Sequence, residues 1–170
     1  KGESKDIAKM YYWLGKSSLI MGSYNEARAY LETAESLSIA PIKVAFHLGE
    51  AYLGMGLFAT SENYFEQVRR HLDKSIRDST ISRDSWLQSE VEEFLEDDVC
   101  AGALLARWHI RNATLAIHTS QSGEEAEKHL EAVREIIGEI SSTTTRRDLE
   151  SEYLRARRCL LKQKEHLKPT

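Results

Sequence analysis

The chain has 170 residues, 41% of them hydrophobic and 29% charged, with a formal net charge of -4. That length can bury a core as one domain, and the acidic balance argues against a general nucleic-acid binder. No apolar run reaches membrane-spanning length and no signal-peptide pattern is present. Two cysteines, Cys100 and Cys159, are too few for a disulfide framework, which fits a reducing compartment, cytoplasmic or nuclear.

Residues 1–7, KGESKDI, read as a polar lead-in, and the opening on Lys1 leads us to expect a piece of a longer chain. A first helix is predicted from about Ala8 to Met21, with Tyr11, Leu14 and Ser18 on its apolar face. A second is predicted from Tyr24 to Leu37, with Ser23 and Glu26 spaced as a capping box. The short link SIAP leads to Pro41, which suits the first turn of a third helix ending near Met55. A fourth is predicted from Phe58 to about Ser75.

These two hairpins are one pattern written twice, 34 residues apart. Leu14 aligns with Leu48, Gly15 with Gly49, Gly22 with Gly56, Tyr24 with Phe58, Leu31 with Phe65 and Ala34 with Val68. A fixed period of this size marks a solenoid of stacked helix pairs. Glycine inside a helix costs about 0.5–1 kcal/mol relative to alanine, so Gly15 and Gly49 are expected to be where two helices cross closely. Gly22 and Gly56 suit left-handed caps, and the ring at Tyr24 or Phe58 can cover the turn. Ala27, Leu31 and Ala34 line one face of the second helix.

Further along, RDSTISRDSW reads as a loop. A helix is predicted to start near Ser82 and carry Trp86 or Leu87, Val91, and Phe94 or Leu95. The apolar spacing continues through Val99, Gly102, Ala106, Ile110, Ala113 and Ile117. This is either one very long helix or two broken around Asp97, Asp98 or Gly102, and the break is preferred. Residues 124–140 resemble the second helix of a repeat, with Ala126, Leu130 and Val133 spaced as Ala27, Leu31 and Ala34 are. The offset is explained by an extra helix at about 84–98 inserted before an irregular hairpin at 103–140, with Ala113 and Thr114 at its crossing. After SSTTT, Thr145 or Asp148 can cap a last helix over about 145–165, carrying Leu149, Tyr153, Ala156 and Leu160 and closing the stack.

The repeated residues resemble the tetratricopeptide repeat family: Leu14, Gly15, Tyr24, Ala27, Leu31 and Ala34 in the first copy, and Leu48, Gly49, Tyr52, Phe58, Phe65 and Val68 in the second. Tyr11 and Ala45 stand where the family has tryptophan, and Ser61 where it has alanine in the second helix. The resemblance implies an all-α, right-handed α-α superhelix of helical hairpins, with regular repeats at 8–40 and 42–75 in a single 1–170 domain. It also implies a concave binding face lined by the first helix of each pair. Helical periodicity assigns Lys9, Tyr12, Lys16, Leu19 and Ile20 to that face, then Lys43, Phe46, Glu50 and Leu53, with Tyr12 and Phe46 as aromatic anchors. The bland alternative is that Tyr12 and Phe46 pack against the neighbouring hairpin. Some family members clamp the carboxylate of a chaperone tail with asparagines; Lys16 and Glu50 hold the matching positions, and Glu50 would repel a carboxylate.

Catalytic patterns are missing from the sequence. The six histidines form no HExxH motif, and the cysteines have no zinc-ligand spacing. GMG at 54–56 lacks the GK[ST] of a phosphate loop. Neither an enzyme nor a metal or cofactor site is expected. Asn112-Ala-Thr114 falls inside a predicted helix and reads as helix interior. Two charged stretches are candidate secondary surfaces or solvated faces: Glu90, Glu92, Glu93, Glu96, Asp97 and Asp98, and the basic last helix with Arg155, Arg157 and Arg158.

The expected function is a protein–protein adaptor or scaffold that binds a peptide segment or a neighbouring subunit, with self-association a further option. The rivals are a permanent structural subunit, a regulatory domain sensing a ligand or peptide, and a helical-repeat module associated with nucleic acid. The last is weakened by Asp148, Glu150, Glu152 and Glu165 among the basic residues of the final helix.

Overall fold

The computed structural model describes residues 2–38, 41–78, 101–119, 123–140 and 142–166. Seven helices lie among them: α1 (Gly2–Ile20), α2 (Tyr24–Ser36), α3 (Pro41–Gly54), α4 (Phe58–Asp78), α5 (Ala101–Thr119), α6 (Glu124–Glu139) and α7 (Thr143–His166). The helix expected at about 84–98, and with it Glu92, Glu93, Glu96, Asp97 and Asp98, lies outside the described residues. The helices fall in two compact units, α1–α4 and α5–α7.

In the first unit α1 pairs with α2 and α3 with α4, while α2 and α1 also pack on α3. The hairpin turns are made alike: Gly22 and Gly56 have φ of 75° and 74°, a left-handed conformation only glycine adopts without cost. The crossings are close where glycine repeats. A Cβ on Gly15 would lie 2.5 Å from Leu31 Cγ, and one on Gly49 would lie 2.6 Å from Phe65 Cε1. Gly54 is a third such point, because the Tyr24 ring lies directly against it. Ser61, in the place of the usual alanine, is buried and donates its hydroxyl to the Gly49 carbonyl oxygen at 2.8 Å, so the extra polar atom is satisfied. The Tyr52 and Tyr64 rings stack at 5.5 Å, and the Tyr52 hydroxyl donates to Glu32 at 2.8 Å, tying the second hairpin to α2. Burial, followed by the nearby Glu35 carboxylate, pushes the Tyr64 phenol up to about 12.

Gly49→Ala is therefore expected to destabilise the fold although alanine is the better helix former. The new methyl would meet a fully buried ring that is itself held against Phe46 at 5.8 Å, so little can give. Overpacking of this kind costs about 1–3 kcal/mol, and helix propensity returns about 0.5–1 kcal/mol. A drop in the urea midpoint without a change of slope would report the net loss.

Three local expectations are corrected. α1 begins at Gly2, so residues 2–7 are its first turns and not a lead-in. Ser23 is the N-cap of α2 but makes no side-chain cap hydrogen bond, so the capping box is not formed. At the start of α7 it is Ser142, not Thr145 or Asp148, that caps: its Oγ accepts from the Thr145 N–H at 3.4 Å.

In the second unit α5 pairs with α6, and α7 packs on both. Its core holds Ala106, Ile110 and Ala113 from α5, Ala126, Leu130 and Val133 from α6, and Leu149, Ala156 and Leu160 from α7. Polar contacts fix α7. Glu152 accepts from Arg107 Nε at 3.1 Å and lies 2.9 Å from an Arg111 terminal nitrogen, while Gln163 donates to the Ile117 carbonyl oxygen at 2.7 Å. Lys164 pairs with Glu127 at the surface.

Candidate interaction surface

The face assigned to a partner runs over α1 and α3, and the fold sorts its nine residues into an inner group and an outer one, in which Ile20 is the most exposed. Tyr12, Phe46 and Lys43 are inside, with 0%, 1% and 2% of their surfaces exposed. The Tyr12 ring packs edge-on against Trp13 and at 5.7 Å from His47, and Phe46 packs against Phe65 and His47. The two rings read as anchors for a partner are core residues that hold one helix to the next. A 3.6-residue period groups Lys9, Tyr12, Lys16 and Leu19 on one side, but how far the neighbouring helix wraps that side is set by the crossing.

Lys9, Lys16, Leu19, Glu50 and Leu53 are half-buried, with part of each side chain in solvent. Lys16 Nζ sits 5.0 Å from the centre of the Trp13 ring, a cation–π distance. On α3, the His47 Nδ1 lies 2.7 Å from Glu50 Oε2. The carboxylate can only accept, so Nδ1 carries the proton there, and Nε2 is left to accept from the Tyr12 hydroxyl at 3.3 Å. A buried tyrosine of α1 thus orients a histidine of α3, which orients a carboxylate at the rim. Trp13 and His47 were not among the assigned residues. Each stands three positions before its charged partner, a helical spacing readable in the sequence.

In the second unit, Arg155, Arg157 and Arg158 are exposed on α7. Between α5 and α6, His109 Nδ1 and His129 Nδ1 meet at 2.9 Å, with Trp108 packed edge-on against both rings. The ring centres are 5.2 Å apart, nearly the sum of that gap and two ring radii, so the nitrogens point at each other. At this gap one imidazole donates to the other, the direction depending on the tautomers. Among the described residues no three of His, Cys, Asp and Glu come together as a metal site. No spacing in the sequence predicts the pair, because its members come from different helices.

Burial, then the neighbouring His129, holds His109 down at about 4; burial also lowers His129, opposed by Glu125. Both rings stay neutral when folded and take up protons below about 6.5 when unfolded. Stability is therefore complete above that value and falls as the pH drops toward about 4. Discounted for partial exposure, the loss through His109 is on the order of 2 kcal/mol. Urea unfolding at pH 7 and pH 5 checks it: the wild-type midpoint should drop by more than that of His109→Phe.

Among the described residues no helix is long and apolar enough to cross a membrane. A family model described as Tetratricopeptide repeat matches residues 8–38. No curated protein and no solved structure matches the chain.

Proposed function

We propose that this chain, whose residues 8–38 form a tetratricopeptide repeat, is an adaptor that holds a peptide segment of another protein across α1 and α3. Its work is binding, with no bond made or broken, and the right-handed superhelical sense and the irregular third repeat belong to the same reading. What supports it is the pairing of Trp13 and Lys16 on α1 with His47 and Glu50 on α3. α1 carries a cation over a ring and α3 a carboxylate held by a histidine, and each helix also carries a half-buried leucine, Leu19 and Leu53. Such a face suits an extended or helical peptide with an apolar core and charges of both signs, and the half-buried, hydrogen-bonded groups cost little entropy to order. Arg155, Arg157 and Arg158 remain a secondary surface for an acidic partner.

The test is affinity capture from cell extract with the wild type and with Lys16→Glu/Leu53→Asp, checked by circular dichroism. Neither position is fully buried, so the variant should fold. Loss of a specific partner supports the α1–α3 face, and an unchanged partner set removes it.

A further inference from the structure

Two histidines meet across the α5–α6 crossing, and the adaptor reading uses neither. His109 Nδ1 and His129 Nδ1 are 2.9 Å apart, with the Trp108 ring edge-on against both imidazoles at 4.8 and 5.6 Å. Around them the crossing is tight: Ala106 and Ala113 of α5 and Ala126 of α6 are fully buried, in one core with Ile110, Leu130 and Val133. Both histidines are half-buried, so water reaches part of each.

The contact holds a definite number of protons. A neutral imidazole carries one ring proton, so one Nδ1 donates here and the other accepts. A first added proton goes to the outer Nε2 of the donating ring. The N–H···N bond is kept and becomes charge-assisted. A second added proton has only the accepting Nδ1 to enter. Two N–H groups then face each other across a gap that holds one proton.

Neighbouring charges do not relieve that collision. Arg107 and Arg111, two residues to either side of His109, are turned to Glu152 of α7. Glu125, one turn before His129 on α6, favours a charged His129. Among the described residues no other charged group of α5, α6 or α7 acts on either ring. A single carboxylate can balance the first charge and cannot make room for the second proton.

We propose that the His109–His129 contact is an acid-operated latch of the α5–α6 hairpin, which takes one proton and stays closed and is forced open by the second. Trp108 and the close alanine crossing leave the rings no room to swing apart, so breaking the contact parts the helices and wets Ile110, Leu130 and Val133. The closed pair binds fewer protons than the opened one, so opening grows as the pH falls. The latch belongs to the second unit and stands whether or not α1 and α3 hold a peptide.

The full chain is titrated by NMR from about pH 7.5 to about pH 3.5, a range that spans histidine protonation. Ring nitrogen shifts count the protons, and the methyl signals of Ile110, Leu130 and Val133 report the crossing. At neutral pH one ring should carry its proton on Nδ1 and the other on Nε2. The methyl signals should hold through the first added proton and be lost with the second. In His109→Gln and, separately, His129→Gln, the amide oxygen can accept from a charged ring. The remaining histidine should therefore take its proton with the methyl signals in place, and opening should move down by at least about one pH unit. The wild-type titration decides by itself, so the proposal does not depend on a variant folding. Four results overturn it: both rings protonated on Nε2 at neutral pH, methyl signals lost with the first proton, both rings charged with the signals unchanged, or folded glutamine variants that open at the wild-type pH.

Discussion

Phe46→Ala is expected to cost about 3–5 kcal/mol, the range for removing a fully buried aromatic ring. The ring packs against Phe65, whose own edge lies over Gly49, so its loss opens a cavity where α3 and α4 cross. Tyr12→Ala falls in the same class: its ring is fully buried, and its hydroxyl is the partner of His47 Nε2. Equilibrium urea unfolding of both variants beside Met10→Ala makes the comparison. Met10 is half exposed, and its truncation should change stability by less than about 1 kcal/mol. A small effect at Phe46 would mean that the ring is free for a partner, as the helical period alone suggests. A large one means that alanine at these positions tests folding and not binding.

Glu152→Ala is expected to destabilise the second unit by about 2 kcal/mol, because it leaves Arg107 and Arg111, one turn apart on α5, side by side without the carboxylate from α7 that they share. The three side chains are partly buried, so the loss is larger than for an exposed pair and smaller than for a fully enclosed one. Glu127→Ala, which removes the surface pair with Lys164, should cost no more than about 0.5 kcal/mol. Thermal unfolding of the two variants in low and high salt separates them: the Glu152 effect should persist where the Glu127 effect vanishes.

Much of the hairpin architecture was legible in the residues. Gly15 and Gly49 stand where a side chain could not fit, Gly22 and Gly56 take the left-handed turn, and Ala27, Leu31 and Ala34 are fully buried. These follow from chemistry local to one or two turns. The candidate surface was legible only in part: the period groups Lys9, Tyr12, Lys16 and Leu19 on one side of α1, but Tyr12 is in the core while Lys9, Lys16 and Leu19 are half-buried. The His109–His129 contact and the Glu152 pairs were not legible at all, since each joins residues from different helices and leaves no spacing to read.

The sequence by itself determined the repeat, the helix pairs and the points of close crossing, because a missing Cβ and a fixed period constrain the backbone whatever surrounds it. The tertiary structure alone decided which arc of each helix meets solvent. Leu14 and Leu48 are the same residue in the same register, and one is exposed while the other is fully buried, because α2 packs on α3 over Leu48. Periodicity gives the angle between side chains on a helix; only the neighbours give the direction of the helix as a whole.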